Sequence, residues 1–262
     1  MEHNQVIDII IPCIPKHIKY LKNIIASINN NTQHPNNIII ALSESNYSKE
    51  LKDNLQKLSK SIPIILNTTS SKSYAAENRN RAAGISNADI LMFIDADDLM
   101  LPNLIEVVIN TMKLHDADAV LHGFTRDIDY IEPESEITYK NVLDPISFAQ
   151  LEKSDRDYIH LTKIEPHHGH ITVKRDIYMK LGGQNENEKY TRGQDAKFVR
   201  DLFKNNYRVA YNPRKLTVYN EHLSAEPYVN FIASSKRFIE KYKYLVILVI
   251  LVILLILLKK IE

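Results

Sequence analysis

The chain has 262 residues, 44% of them apolar and 25% charged, with a formal net charge of +1. That supplies a substantial core and shows no acidic or basic excess that would argue for a nucleic-acid partner. A single cysteine, Cys13, excludes an intramolecular disulfide, and the N-terminus shows no secretory pattern before "VIDIIIPCIP", so folding in a reducing, cytoplasmic compartment is expected.

Ile7 to Ile11 reads as a buried strand, broken by Pro12 and Pro15. Ile18, Leu21, Ile24, Ile25 and Ile28 then recur at helical spacing; the polar run "NNNTQHPNN" closes that helix, and "IIIAL" is the next buried strand. A second helix is expected over roughly Lys49 to Leu58. A short strand follows at "IPIILN", then a helix through "SYAAENRNRAAGIS" to about Gly84, then the strand "ILMFI". Helices alternating with strands apolar on both faces predict an α/β fold with a mostly parallel central sheet. After Pro102, "NLIEVVINTMKLH" is an amphipathic helix, "ADAVLHGFTRD" a strand, and Asp127 to Asp157 a polar, loop-rich stretch. "HGHITVKRDIYMKLGG" predicts a short strand, a helix and a glycine turn; "QDAKFVRDLFKNN" predicts a helix, and "YRVAYNPRKLTVYNEH" a pair of late strands. No internal repeat interrupts this order, and one domain over residues 1–225 is the simplest division.

The tail differs. Leu245 to Leu258 is 14 residues with no polar side chain, between Lys241 and Lys243 on one side and Lys259 and Lys260 on the other. As a helix it extends about 21 Å, short of the roughly 30 Å hydrocarbon core. Interfacial Tyr242 and Tyr244 and snorkelling lysines would lengthen its reach. A C-terminal hydrophobic helix at 244–258 acting as a membrane anchor is therefore expected, after a linker over 226–243; buried or oligomeric packing and a truncated longer membrane segment are the alternatives.

The most apolar strand runs straight into "DADD", which places Asp95, Asp97 and Asp98 at its C-terminal tip. In open α/β sheets ligands bind beyond those ends. Carboxylates gathered there suit a hard divalent cation, Mg2+ or Mn2+, which takes oxygen ligands and bridges to phosphates; a solvated acidic turn is the plain alternative. The sequence has no zinc-type cysteine cluster and neither of the common glycine-rich phosphate loops.

"IIIPCIP", "IIIALSES", "ENRNRAAGISNADILMFIDADD" and "GGQNENEKYTRGQDAKF" together resemble a family 2-type glycosyltransferase of the GT-A fold, over roughly residues 5 to 224. The resemblance implies transfer of a sugar from a nucleotide diphosphate sugar, with a UDP-sugar the most common donor, usually with inversion and with Mn2+ or Mg2+. It divides the domain into a nucleotide-binding half, 1–98, and an acceptor half, 99–225. Pro12, Cys13 and Ile14 would lie along the base. Glu44 stands where an acidic residue contacts base or ribose, although the usual paired aspartates and glycine are missing there. Asn78 and Arg79 would face the nucleotide, Asp95 the ribose or sugar, and Asp97 the metal, with Asp98 assisting either. The family's acidic pair at a helix start is Gln194-Asp195 here, so Asp195 alone can serve as catalytic base; capping that helix is its bland role. His222 would complete the metal shell and His170 would reach the acceptor or diphosphate, with a loop histidine of no role the default for both.

The partners implied are the donor, a carbohydrate, lipid-linked or glycoprotein acceptor, and a membrane through the tail, with the catalytic domain on the cytoplasmic side. Two other functions stay open. A sugar-1-phosphate nucleotidyltransferase would carry a Gly-rich basic loop where Pro12 and Pro15 stand. An inactive sugar-nucleotide-binding membrane scaffold is kept open by Gln194.

Overall fold

In the computed structural model, which describes residues 5–127, 168–187 and 194–220, the isoleucine runs form the middle of the sheet. Strand β1 (Ile7–Cys13) is buried at every position, and β2 (Asn37–Leu42) at all but its first. Side chains alternate between the two faces of a strand, and the core divides accordingly. Ile7, Ile9, Ile11, Ile38 and Ile40 pack on one face with helices α1 (Leu21–Asn29) and α4 (Leu104–Leu114). Ile10, Ile39 and Ala41 pack on the other with α3 (Ala75–Ile85), α5 (Arg175–Lys180) and α6 (Gln194–Lys204). Helix α2 (Lys49–Leu58) is capped by Ser48, whose hydroxyl accepts the Leu51 N–H at 3.2 Å.

The remaining strands are β3 (Ile64–Thr68), β4 (Ile90–Phe93), β5 (Leu99–Met100), β6 (Ala119–Thr125), β7 (Thr172–Lys174) and β8 (Val209–Val218). Among the described residues they form one eight-stranded sheet of order β3-β2-β1-β4-β7-β6-β8-β5. The first four are parallel, as expected. Beyond β4 the sheet is mixed: β7 is antiparallel to both its neighbours, and β5 is antiparallel to β8. This corrects the mostly parallel expectation. Buried strands look alike in sequence whichever way they run.

Two local expectations also change. Strand β1 continues through Pro12, which pairs with Ala41 of β2, whereas the β1–β4 pairing ends at Ile10 with Phe93. Pro12 therefore lies where β1 has a neighbour on one side only, the setting in which a missing N–H is tolerated. The expected late pair of strands is a single ten-residue β8 whose register against β6 shifts around Gly123.

The described residues fall in one compact unit, Met1–Asn220. No helix among them is long and apolar enough to cross a membrane. This corrects the expected anchor, and with it the membrane partner and the membrane-associated localisation. Even if helical, 14 apolar residues would extend only about 21 Å, short of the roughly 30 Å hydrocarbon core. The segment on which that expectation rested, 226–258, lies outside the described residues, as do His222 and the stretch 128–157.

Candidate active site

The strand order fixes where a ligand can sit. β1, β2 and β3 step outward in one direction, and β4 then returns to the opposite side of β1. The connections leaving β1 and β4 therefore diverge, and the crevice between their C-terminal ends is a topological switch point, the usual ligand site of such sheets. Asp95, Asp97 and Asp98 leave the tip of β4 at this crevice. A short 3-10 turn, Pro15–Tyr20, leaves β1 beside them.

Each aspartate has a different neighbour. Asp95 Oδ1 accepts from Arg79 Nη2 at 2.5 Å, and Arg79 Nη1 donates to Gln184 Oε1 at 3.1 Å. Burial works against the charge of Arg79, but Asp95 and Asp195 outweigh it and its pKa is raised. Asp98 is fully buried: its Oδ1 accepts the Asn220 N–H at 2.8 Å and its Oδ2 lies 2.7 Å from His170 Nε2. His170 Nδ1 is in turn 3.1 Å from Thr217 Oγ1. Burial pushes His170 down to about 4, against the pull of Asp95 and Asp195, which favours the neutral ring. Asp95, Asp98 and His170 each bring a potential ligand atom within 4.8 Å of the others, a candidate metal-holding group.

Asp97 is the unsatisfied member. Its Oδ2 is buried without a hydrogen-bond partner. Burial first, then the charges of Asp98 and Asp95, raise its pKa to about 6, with His17 opposing. His17 Nε2 lies 3.8 Å away and is likewise buried and unpartnered. Burial lowers the pKa of His17, with Asp97 pulling it back up.

The other expected residues are placed as follows. Pro12 and Cys13 are buried and Ile14 is half-buried. Burial, then the Asp97 charge, pushes the Cys13 thiol up to about 12. Glu44 is exposed and takes a left-handed backbone, φ 52°. Asn78 is occupied inside the protein: its amide donates to the Cys13 carbonyl and to Ser43 Oγ, both at 3.3 Å, tying the ends of β1 and β2 together. Asp195 is the second residue of α6 and half-buried, its Oδ1 accepting the Ala196 N–H at 2.8 Å, and its charge acts on Arg79 and His170. His222 lies outside the described residues.

Two residues of this corner carried no signal in the sequence. Gln184 buttresses Arg79 from 105 positions away, and His17 meets Asp97 across the crevice. Only the strand order, with β1 beside β4, reveals the second contact.

A family model described as glycosyl transferase family 2 matches residues 8–181. The chain belongs to glycosyl transferase family 2. That membership sets aside the nucleotidyltransferase alternative. The fold agrees. The S. aureus TarS crystal structure has a TM-score of 0.60 at 13% identity, over 81% of this chain and 36% of that one. TarS 1-349 with UDP gives 0.57 at 12% identity, over 81% and 59%. TarS 1-349 with UDP-GlcNAc gives 0.56 at 13% identity, over 84% and 61%. This glycosyltransferase thus spans less than two thirds of the length of those structures, and at such identities the likeness is one of fold. A search of the curated proteins finds no match.

Proposed function

We propose that this family 2 glycosyltransferase moves a sugar from a nucleotide diphosphate sugar to an acceptor hydroxyl, with inversion, using Mn2+ or Mg2+ at the Asp95–Asp98 corner. The observation that carries the cation is Asp97 Oδ2: an oxygen buried without a hydrogen-bond partner, beside two further carboxylates, at the switch point. Leaving such an acceptor unmet costs about 1–3 kcal/mol, and a hard divalent ion meets it. Asp97 and Asp95 would hold the ion: of the Asp95, Asp98 and His170 group, Asp98 and His170 already engage each other at 2.7 Å, whereas Asp97 Oδ2 has no hydrogen-bond partner. When bound, it offsets the negative charge that gathers on the departing diphosphate.

The rest is work for the chain's own side chains. Arg79, anchored by Gln184, fixes the orientation of Asp95 toward the donor. Asp195, at the head of α6, accepts the proton from the acceptor hydroxyl as that oxygen attacks the sugar; inversion requires this base on the face opposite the leaving group. Gln194, an amide beside it, cannot take that proton. Pro12, Cys13 and Ile14 form the wall beside the base, with Glu44 near the ribose.

Since two of the related TarS structures carry UDP and UDP-GlcNAc, UDP-sugars are the first donors to try. The test is a panel of UDP-, GDP- and CMP-sugars with the full chain, with and without Mn2+, read as nucleotide released. One donor should be consumed, and only with the cation. If no nucleotide sugar binds or is consumed in Mn2+, the proposal fails.

A further inference from the structure

The turn after β1 and the aspartates after β4 face each other through one long ion pair, His17 Nε2 with Asp97 Oδ2. His17 Nε2 and Asp97 Oδ2 are both buried, and neither has a hydrogen-bond partner. Buried polar atoms almost always find partners, and these two have each other within reach. Yet they stand 3.8 Å apart, beyond the roughly 3.2 Å at which an N–H···O bond ends. A bridging water does not suit the gap: at about 2.8 Å from each atom with a tetrahedral angle, it holds them about 4.6 Å apart. A five-coordinate cation does suit it. Two equatorial ligands about 2.2 Å from one ion and about 120° apart stand about 3.8 Å from each other, the separation seen here, whereas the octahedral shell that Mg2+ demands would place them about 3 or about 4.3 Å apart.

We propose that His17 is a nitrogen ligand of the divalent cation at this corner, paired across the crevice with Asp97 Oδ2. This rests on the cation-dependent transfer proposed above and adds to it the identity of the ion. Mg2+ keeps to oxygen ligands in near-ideal octahedral geometry, whereas first-row divalent ions, Mn2+ the weakest binder among them, also accept an imidazole nitrogen. The rival nitrogen, His170, has its Nε2 against Asp98 and its Nδ1 against Thr217. His17 closes the cation from the β1 side and couples the first turn of the chain to the acidic corner.

The test uses Mn2+ as the probe, alone and with UDP, on the full chain, read by calorimetry and by nitrogen hyperfine coupling in the Mn2+ electron spin-echo spectrum. The wild-type chain should show the coupling. His17→Gln should lose it and bind Mn2+ about 10- to 100-fold more weakly, with the urea midpoint unchanged. His17→Asp, an oxygen ligand in place of the nitrogen, should keep Mn2+ affinity within about tenfold while losing the coupling and the preference for Mn2+ over Mg2+. Coupling that survives in His17→Gln, or that disappears in His170→Gln instead, overturns the assignment. So does bound Mn2+ without nitrogen coupling, which leaves the cation-dependent function standing. A wild-type chain that binds no Mn2+ under either condition overturns both.

Discussion

Replacing Gly183 by Ala tests whether the corner behind Arg79 is held as described. Gly183 sits at φ +73°, and a Cβ there would run into Asn80 Oδ1 and stand 2.8 Å from Asn80 Cγ. Asn80 cannot simply swing aside. Its Oδ1 accepts from the Tyr178 hydroxyl at 2.6 Å and from the Gln184 N–H at 2.8 Å, and its amide donates to the Gln184 carbonyl at 2.7 Å. The left-handed backbone costs Ala about 1 kcal/mol, and giving up the two bonds to Oδ1 costs about 1 kcal/mol each, so the substitution should destabilise by about 3 kcal/mol. Gly182 is the control: φ +75°, with nothing within 4 Å of an added Cβ, so Gly182→Ala should cost only the backbone term, about 1 kcal/mol. The difference of about 2 kcal/mol corresponds to a urea midpoint about 1 M lower for Gly183→Ala than for Gly182→Ala. Gln184, which holds Arg79, is loosened by the same shift, so donor affinity should fall with stability only in Gly183→Ala. Equal midpoints for the two variants would refute the packing argument.

Three further outcomes follow from the site. Asp97 is raised from 3.8 to about 6 by burial and by Asp98 and Asp95. Between those values the folded chain keeps a proton that the unfolded chain has lost, so cation-free stability falls as pH rises through that window. A cation must displace the same proton, so Mn2+ affinity by calorimetry should climb about tenfold per pH unit up to about pH 6 and level off above it; a flat profile would contradict the raised value. Asp195→Asn should lower kcat about 100- to 10,000-fold with donor affinity within about twofold, and a mutant that still transfers at the wild-type rate removes Asp195 as the base. The Cys13 thiol, pushed up to about 12 by burial, should resist iodoacetamide in the native protein at about pH 8 and react once urea unfolds the chain. Rapid labelling of the native protein would contradict its placement.

Much of the N-terminal half of the sheet was legible because its signals are local. Isoleucine runs bounded by Asn, Pro and Ser marked β1 and β2, and helical spacing marked α1 and α2. The apolar run of β4 emptying into three aspartates pointed to the candidate site. Burial of Asn78 and Arg79 on α3 fits the polar stretch "ENRNR", which no ordinary core-facing helix would carry. What the sequence could not convey was distant pairing. Which aspartate holds what depends on Arg79, on His170 and on the Asn220 N–H, the last 122 positions from Asp98. The reversal of β7 against β4 and the single long β8 follow from sheet topology, which strand composition does not encode. His17 had no signal at all, because its meaning comes from β1 and β4 being neighbours.

Whether the tip of β4 is a cation-dependent donor site is decided by UDP affinity measured with and without Mn2+ for the wild-type chain and for Asp97→Asn. Mn2+ should tighten UDP binding at least about tenfold in the wild type, about 1.4 kcal/mol, and leave the variant unchanged while its metal-free affinity stays near wild type. An equal gain from Mn2+ in both proteins would contradict this, placing the cation away from Asp97.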